Sequence, residues 1–346
     1  MGPIIRQTFI VILPTVAVYM ALLVLSFVLY PQSPGRMLDP VKARDTFLRT
    51  PPAYLTYGSS AVARSGRTVV LLGPSNVSFG FRPNVLNAHF PDLTFHNMSL
   101  GGTNIEGMAA MADLVRAMRT DRDLTDVIFV AGLWYGEFQH NEALRERTPV
   151  AQQMMRFGLF ERADDGYRRT LPLRLFEVSV EALRPYFLVR SILTRDGLLF
   201  GDDDTGLLKT RGNQKLVCTD RLRNGFRSAS SGSLKQYGSS QFDALVEFAR
   251  EVQVLGGKLV LIDLPNPRCM TDVDSVWREY QIEKRPFLTK ARMHGALYWN
   301  FQDINEDRYF MDGTHPNTAG TIEIEARFSA GLAKEIGTLF TESPPH

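Results

Sequence analysis

The chain has 346 residues, enough for one large domain or two ordinary ones with a sizeable buried core. A hydrophobic fraction of 44% with 22% charged residues excludes wholesale disorder. The net charge of +2 offers no argument for nucleic acid or for an acidic partner, and no nucleic-acid binding is expected.

After a short segment at 1–7, residues 8–30 read TFIVILPTVAVYMALLVLSFVLY without a charged residue. At ~1.5 Å per residue this stretch is long enough to cross a hydrocarbon core of ~30 Å. A cleaved signal peptide would have a shorter apolar region and a small-x-small site, which Leu29-Tyr30-Pro31-Gln32 does not supply. The stretch is therefore read as an uncleaved transmembrane signal anchor, with Pro14 as a candidate kink. Only Arg6 and the α-amino group precede it, whereas Arg36, Lys42, Arg44 and Arg49 follow, so charge alone favours a cytoplasmic C-terminal side.

Residues 31–66 carry Pro31, Pro34, Pro40, Pro51 and Pro52 and read as a tether with a short helix near 41–49. A βα rhythm then begins. TVVLL (68–72) reads as a buried strand, Pro83 as a helix start, and LTFHNM (93–98) as a second strand. Helical spacing of Ile105, Met108, Met111, Leu114, Val115 and Met118 predicts a helix over 104–118, followed by a strand at 126–133. Further helices are expected at 239–254, 274–294 and 317–338, with strands at 258–264 and 296–301. This alternation implies an α/β domain over 67–340 whose parallel sheet is sandwiched by helices, with ligands beyond the carboxyl ends of the strands and a tail at 341–346.

An insert at about 138–238 breaks the rhythm. It is basic and expected to be mostly helical, with candidates at 150–160 and 173–193. Its Phe187, Leu188, Ile192, Leu193, Leu199 and Phe200 either pack the insert onto the sheet or rest on a membrane or partner. Asp202, Asp203 and Asp204 form an acidic loop, read as solvated rather than as a cation site. His89, His96, His140 and His294 are scattered singly and read as structural or exposed. Cys218 and Cys269 lack the clustering of a zinc site, so no metal is expected; they are either a disulfide or two free thiols.

Two motifs carry chemistry. In TVVLLGPSNVSFG (68–80) the strand stops at Gly73-Pro74 immediately before Ser75. In YFMDGTHPNTAG (309–320) Asp312 lies three residues before His315, so a turn can set the carboxylate against one imidazole nitrogen and leave the other as a general base. A serine hydroxyl is a weak nucleophile until such a base takes its proton. A parallel sheet brings the loop after its first strand and the loop before its last helix to the same edge.

This arrangement resembles the SGNH/GDSL hydrolase-like superfamily over about 68–132 and 239–338. The resemblance implies a flavodoxin-like sheet, Ser75 as nucleophile, His315 as base, Asp312 as its orienting carboxylate, and no cofactor. NMSLGGTN (97–104) is similar to the family's second block, which supplies an oxyanion-hole N–H. Ser99 stands at the usual Gly or Ser position, with Gly101 and Gly102 giving flexibility. The third block departs, with Trp134 where the hydrolases carry an oxyanion-hole Asn. Asn76 or Asn104 either substitutes for it or serves as a turn or cap residue. Trp134 and Tyr135 either line an acceptor groove or pack.

The anchor, the domain and DGTHPN together are similar to extracytoplasmic proteins that modify cell-envelope polymers, such as the D-alanyl transfer protein of teichoic acid systems and the alginate and peptidoglycan O-acetylation proteins. That likeness implies a periplasmic C-terminal domain on the inner membrane, against the charge count. It also implies a membrane-bound O-acyltransferase as partner, a polysaccharide or glycolipid acceptor, and transfer of an acyl group, such as acetyl, through an acyl-serine. The competing readings are a carbohydrate esterase with the same triad, a non-catalytic polymer-binding or assembly partner, and a lipase.

Overall fold

The computed structural model describes residues 3–29, 51–64, 66–119, 123–138, 157–164, 166–195, 214–224 and 239–339. The helix expected near 41–49, Leu199, Phe200, the acidic run at 202–204 and His140 lie outside them.

Five short apolar runs build the central sheet: β1 (Thr68–Leu72), β2 (Thr94–Asn97), β3 (Val127–Leu133), β6 (Lys258–Asp263) and β7 (Leu297–Asn300). Every pairing in it is parallel, and the strand order is β2-β1-β3-β6-β7. That is the flavodoxin-like doubly wound order, in which the chain reverses its direction of travel at β1 and β3. Side chains alternate between two cores. Val70, Leu72, Phe129 and Leu261 enter one; Val69, Leu71, Ile128 and Ile262 enter the other. Because helices cover both faces, β1, β3 and nearly all of β6 are continuously buried, which is why they read as unbroken apolar runs.

The first core is roofed by α2 (Pro51–Arg64), α5 (Ile105–Met118), α8 (Ser239–Val254) and α10 (Ser275–Met293). The second is roofed by α3 (Ser75–Gly80), α4 (Pro83–His89) and α11 (Thr318–Leu339). All six apolar residues expected on the inner face of α5 are buried. α2 corrects the expected tether: residues 51–64 form a helix packed on α5. Pro51 and Pro52 stand in its first turn, where a missing N–H breaks no helical hydrogen bond, and residues 55–62 are buried on every side, as in a helix enclosed by the domain.

The insert also departs from expectation. Where the helix at 150–160 was expected to end, Phe160 instead enters a hairpin of β4 (Phe160–Ala163) and β5 (Gly166–Arg169), with Phe160 and Tyr167 turned inward. It is pinned to α5 by the Tyr167 N–H donating to Asp113 Oδ2 at 2.5 Å and Arg169 Nε donating to the Ala117 carbonyl at 2.9 Å. The helix expected at 173–193 is two helices, α6 (Leu173–Ala182) and α7 (Arg184–Arg195). Pro185 explains the corner, since its ring clashes with a continuing helix but suits the first turn of a new one. Between α6 and α7 only Leu183 turns the chain. Phe187 and Leu188 are core residues, whereas Ile192 is exposed.

The apolar N-terminal stretch is one helix, α1 (Pro3–Leu29), within which Gln7–Leu29 is long and apolar enough to cross a membrane. It docks against α7 and the end of α6: the Tyr19 hydroxyl donates to the Ala182 carbonyl of α6 at 2.7 Å, and Arg184 Nη1 of α7 donates to the Ser26 carbonyl at 3.3 Å. α9 (Arg268–Thr271) follows β6 and holds Cys269, which is joined to Cys218 in a disulfide with a Cα–Cα distance of 6.2 Å.

The bond closes a ring of 51 residues' separation. Chain-entropy reasoning then gives it up to about 4 kcal/mol. Replacing both cysteines by serine is expected to lower the unfolding free energy by about 2–4 kcal/mol in urea titrations of the detergent-solubilised protein; an unchanged midpoint would mean that the ring adds nothing beyond the packing around it.

Candidate active site

The carboxyl end of β1 turns at Gly73, whose φ of +148° suits a residue without a side chain. A Cβ there would stand 2.4 Å from Val77 Cγ2 and 3.1 Å from the Gly132 carbonyl oxygen. Glycine therefore lets β1, β3 and the first turn of α3 meet. Pro74 precedes α3, and Ser75 is its first residue, half-buried at the sheet edge.

The loop ahead of α11 arrives at the same edge. Ser75 Oγ lies 2.7 Å from His315 Nε2, and His315 Nδ1 lies 2.9 Å from Asp312 Oδ2. An ionised carboxylate only accepts, so the proton belongs on Nδ1, and Nε2 is left to accept from the Ser75 hydroxyl. Burial alone would raise the Asp312 pKa. The His315 hydrogen bond and charge, with the N–H groups of His315 and Thr314, outweigh it and hold the carboxyl down at about 2. The Phe79 ring packs on the imidazole at a centroid distance of 4.9 Å.

The loop is tightly tied. Asp312 Oδ1 accepts from the N–H of Thr314 (2.9 Å) and of His315 (2.8 Å), and the Met311 N–H donates to the His315 carbonyl at 2.9 Å. Asn317, buried, donates to the carbonyls of Arg308, Phe310 and Gln214, while its own carbonyl accepts the Gly320 N–H at the start of α11. Two contacts lock α3 to this region, Asn76 Nδ2 to the Thr314 carbonyl (2.7 Å) and Thr321 Oγ1 to the Phe79 carbonyl (2.8 Å), and just ahead of α4 Arg82 makes a two-pronged ion pair with buried Glu325 of α11.

The remaining site residues divide. Asn76 binds the loop backbone, and Asn104 caps α5 by accepting the Gly107 N–H at 2.9 Å, so both do turn and cap duty. Ser99 is buried, and its N–H and hydroxyl both donate to Asn97 Oδ1, so its N–H does not face the Ser75 hydroxyl. Gly101 lies beside Ser75, with a Cβ built on it 4.0 Å from Ser75 Cβ. Gly102 takes a left-handed φ of +73°, and neither glycine N–H is engaged by another group among the described residues. Trp134 is half-buried and its indole N–H donates to Asn266 Oδ1 at 3.0 Å. Tyr135 is only 2% exposed and packs with Tyr280 in the core, the second of the two roles open to it.

The structure adds residues that no motif signalled. Asn97 Nδ2 donates to the carbonyls of Val77 (3.2 Å) and Phe81 (3.3 Å), tying the loop after β2 to α3. Behind Trp134, the buried Asp263 at the end of β6 pairs with buried Lys284 and accepts from Tyr280, Tyr298 and Gln302. Burial pushes the neighbouring Glu137 carboxyl well above the usual carboxylate range; the Trp134 N–H offsets this in part, and the Asp263 charge adds to it. His96 is buried on β2, and desolvation lowers its pKa to about 4, so it is a neutral structural residue. His89 is exposed and His294 half-buried. Cys218, Cys269 and Asp307 bring potential ligand atoms together, but the disulfide leaves no thiolates to hold a metal.

No protein-family model matches the chain, and no curated protein matches its sequence. Among solved structures, it is similar to a GDSL-like lipase from Bacteroides thetaiotaomicron, with 82% of this chain and 98% of that one covered, 11% identity and a TM-score of 0.36. So distant a likeness leaves function to be read from the site's own geometry.

Two outcomes follow from the loop. Asn317→Ala removes the cap of α11 and strands buried carbonyls, and is expected to cost about 2–3 kcal/mol in urea unfolding. Because the folded Asp312 pKa lies below its ordinary unfolded value, its stabilisation is present above about pH 4 and is lost as pH falls toward about 2. The stability gap between wild type and Asp312→Asn should therefore close across that window.

Proposed function

We propose that the protein is an extracytoplasmic, membrane-anchored O-acyltransferase acting on a cell-envelope polysaccharide or glycolipid. The observation that carries this reading is the unbroken relay from Ser75 Oγ through His315 to Asp312, at 2.7 and 2.9 Å. As His315 Nε2 takes the Ser75 proton, Oγ attacks the donor's acyl carbonyl. The resulting oxyanion is met by main-chain N–H groups of Ser75 and of Gly101 or Gly102. The imidazolium returns its proton to the leaving group, and an acyl-Ser75 ester remains. His315 then deprotonates an acceptor hydroxyl, which attacks the ester and releases Ser75.

Transfer is preferred over hydrolysis because the third block departs from the hydrolases and puts an aromatic residue, Trp134, where they carry Asn, with its indole N–H already committed to Asn266. Trp134 is the better candidate to stack against an acceptor sugar. The disulfide favours an oxidising, periplasmic location, in line with an inner-membrane anchor and against the charge count. A membrane-bound O-acyltransferase would be the acyl donor's source.

The test treats the full-length protein with an activated acetyl ester, followed by intact mass and peptide mapping, with Ser75→Ala as control. An acetyl group that accumulates on Ser75 and is discharged faster by a polysaccharide acceptor than by water is the expected result. Rapid turnover without accumulation would make it an esterase, and a folded protein that is never labelled would overturn the nucleophile assignment. Asp312→Asn should slow labelling on the order of 10³–10⁴-fold, since the imidazole loses its orienting carboxylate.

A further inference from the structure

The insert's two helices present an apolar surface that the sheet does not cover. On α6, Leu175 is 55% and Val178 65% exposed; on α7, Tyr186, Val189 and Ile192 are also exposed. Their opposite faces carry Phe176, Val180, Phe187 and Leu188, all in the core, so these are the outer stripes of well-packed helices. Exposed Arg174 and Arg190 flank the stripes.

What covers this surface is indicated by its neighbour. The α6 stripe runs on to Ala182, whose carbonyl accepts the Tyr19 hydroxyl of α1. At the same corner Arg184 is fully buried, pairs with Glu181 at 2.5 Å, and stacks 4.4 Å over the Phe27 ring. At ~1.5 Å per residue, Tyr19 lies about 15 Å before the Leu29 end of α1. The corner of the insert therefore stands alongside the apolar span and not beyond its end. The rest of α1 there is still open, with Val24, Leu25 and Val28 exposed. Any bilayer that solvates those side chains reaches the adjoining stripe.

From this continuity we infer that the α6–α7 corner is a membrane foot, bedding Leu175, Val178, Tyr186, Val189 and Ile192 into the leaflet that surrounds the Tyr19–Phe27 half of α1. Arg174 and Arg190 would then meet anionic headgroups. The corner's own charge is compatible with that depth, because Arg184 carries its counter-ion with it. The inference rests on α1 spanning the membrane and adds a second membrane contact from a part of the chain that is distant in sequence.

The test uses the full chain, purified and reconstituted alone into vesicles of phosphatidylethanolamine and phosphatidylglycerol. Nitroxide labels are placed singly through Val178→Cys, Val189→Cys, Val16→Cys on α1 and Asp243→Cys on α8. The native cysteines are joined to each other, so labelling is selective. Relaxation by oxygen, which partitions into lipid, is compared with relaxation by a water-soluble nickel chelate. Oxygen should dominate at 16, 178 and 189, and the nickel complex at 243. If 16 is lipid-facing but 178 or 189 matches 243, the foot is overturned while the span stands, and the stripe is left for a protein partner absent from the vesicles. If 16 also matches 243, the span itself fails and the foot with it.

Discussion

The geometry of the candidate site depends on one steric constraint: Val77 nests where two backbones have no side chains. A Cβ on Gly73 or on Gly132 would fall within 2.4 Å of its Cγ2. These glycines end β1 and sit in β3, so the first turn of α3 can settle onto the sheet edge only because both are bare. Ser75 is carried on that turn, and its half-buried position follows from how closely the turn lies. A bulkier packing would lift the hydroxyl from its imidazole partner without touching either residue.

Both halves of the relay sit on the same side of the sheet. α3 and α11 roof the second core; the Thr321–Phe79 hydrogen bond fastens one helix to the other, and the Arg82–Glu325 pair ties the start of α4 to α11. The opposite core receives α2, α5, the hairpin and the insert's helices. The division separates tasks: one face fixes Ser75, His315 and Asp312, and the other carries the insert and its contact with α1. Segments from outside the α/β rhythm still reach the loop of His315. The Leu216 N–H donates to the Phe310 carbonyl, and the disulfide secures that stretch beside Met270, which abuts Gly313.

Much of the sheet was legible because parallel strands buried on both faces must be continuous apolar runs, as in VVLL and VIFVAGL, and because α5 and α8 repeat at helical spacing. Ser75, Asp312 and His315 stood out because a glycine-proline stop and a three-residue carboxylate-to-imidazole interval are local features. What escaped notice depends on partners far along the chain. α2 looks like a proline-rich linker until α5 offers its apolar face, and β5 is specified as much by Asp113 and Ala117 as by its own residues. The fates of Asn76, Asn104 and Ser99 could not be separated by sequence, since an amide or hydroxyl in a turn reads the same whether it faces a ligand or a neighbouring carbonyl. Buried Lys284 opposite Asp263 was likewise invisible, because a lysine on an amphipathic helix ordinarily reads as solvent-facing.

The hydrogen bond between Ser75 and His315 joins residues 240 positions apart. Ser75 belongs to the first strand-and-turn of the sheet, while His315 precedes α11, where Gly320 lies so close to the Tyr309 carbonyl that a Cβ would collide with it. During synthesis Ser75 emerges 240 positions ahead of His315, so most of the domain follows before the imidazole is present. At ~5–20 residues per second that delay is of the order of ten seconds or more. The Ser75 hydroxyl thus gains its imidazole partner only after every strand of the sheet has been made.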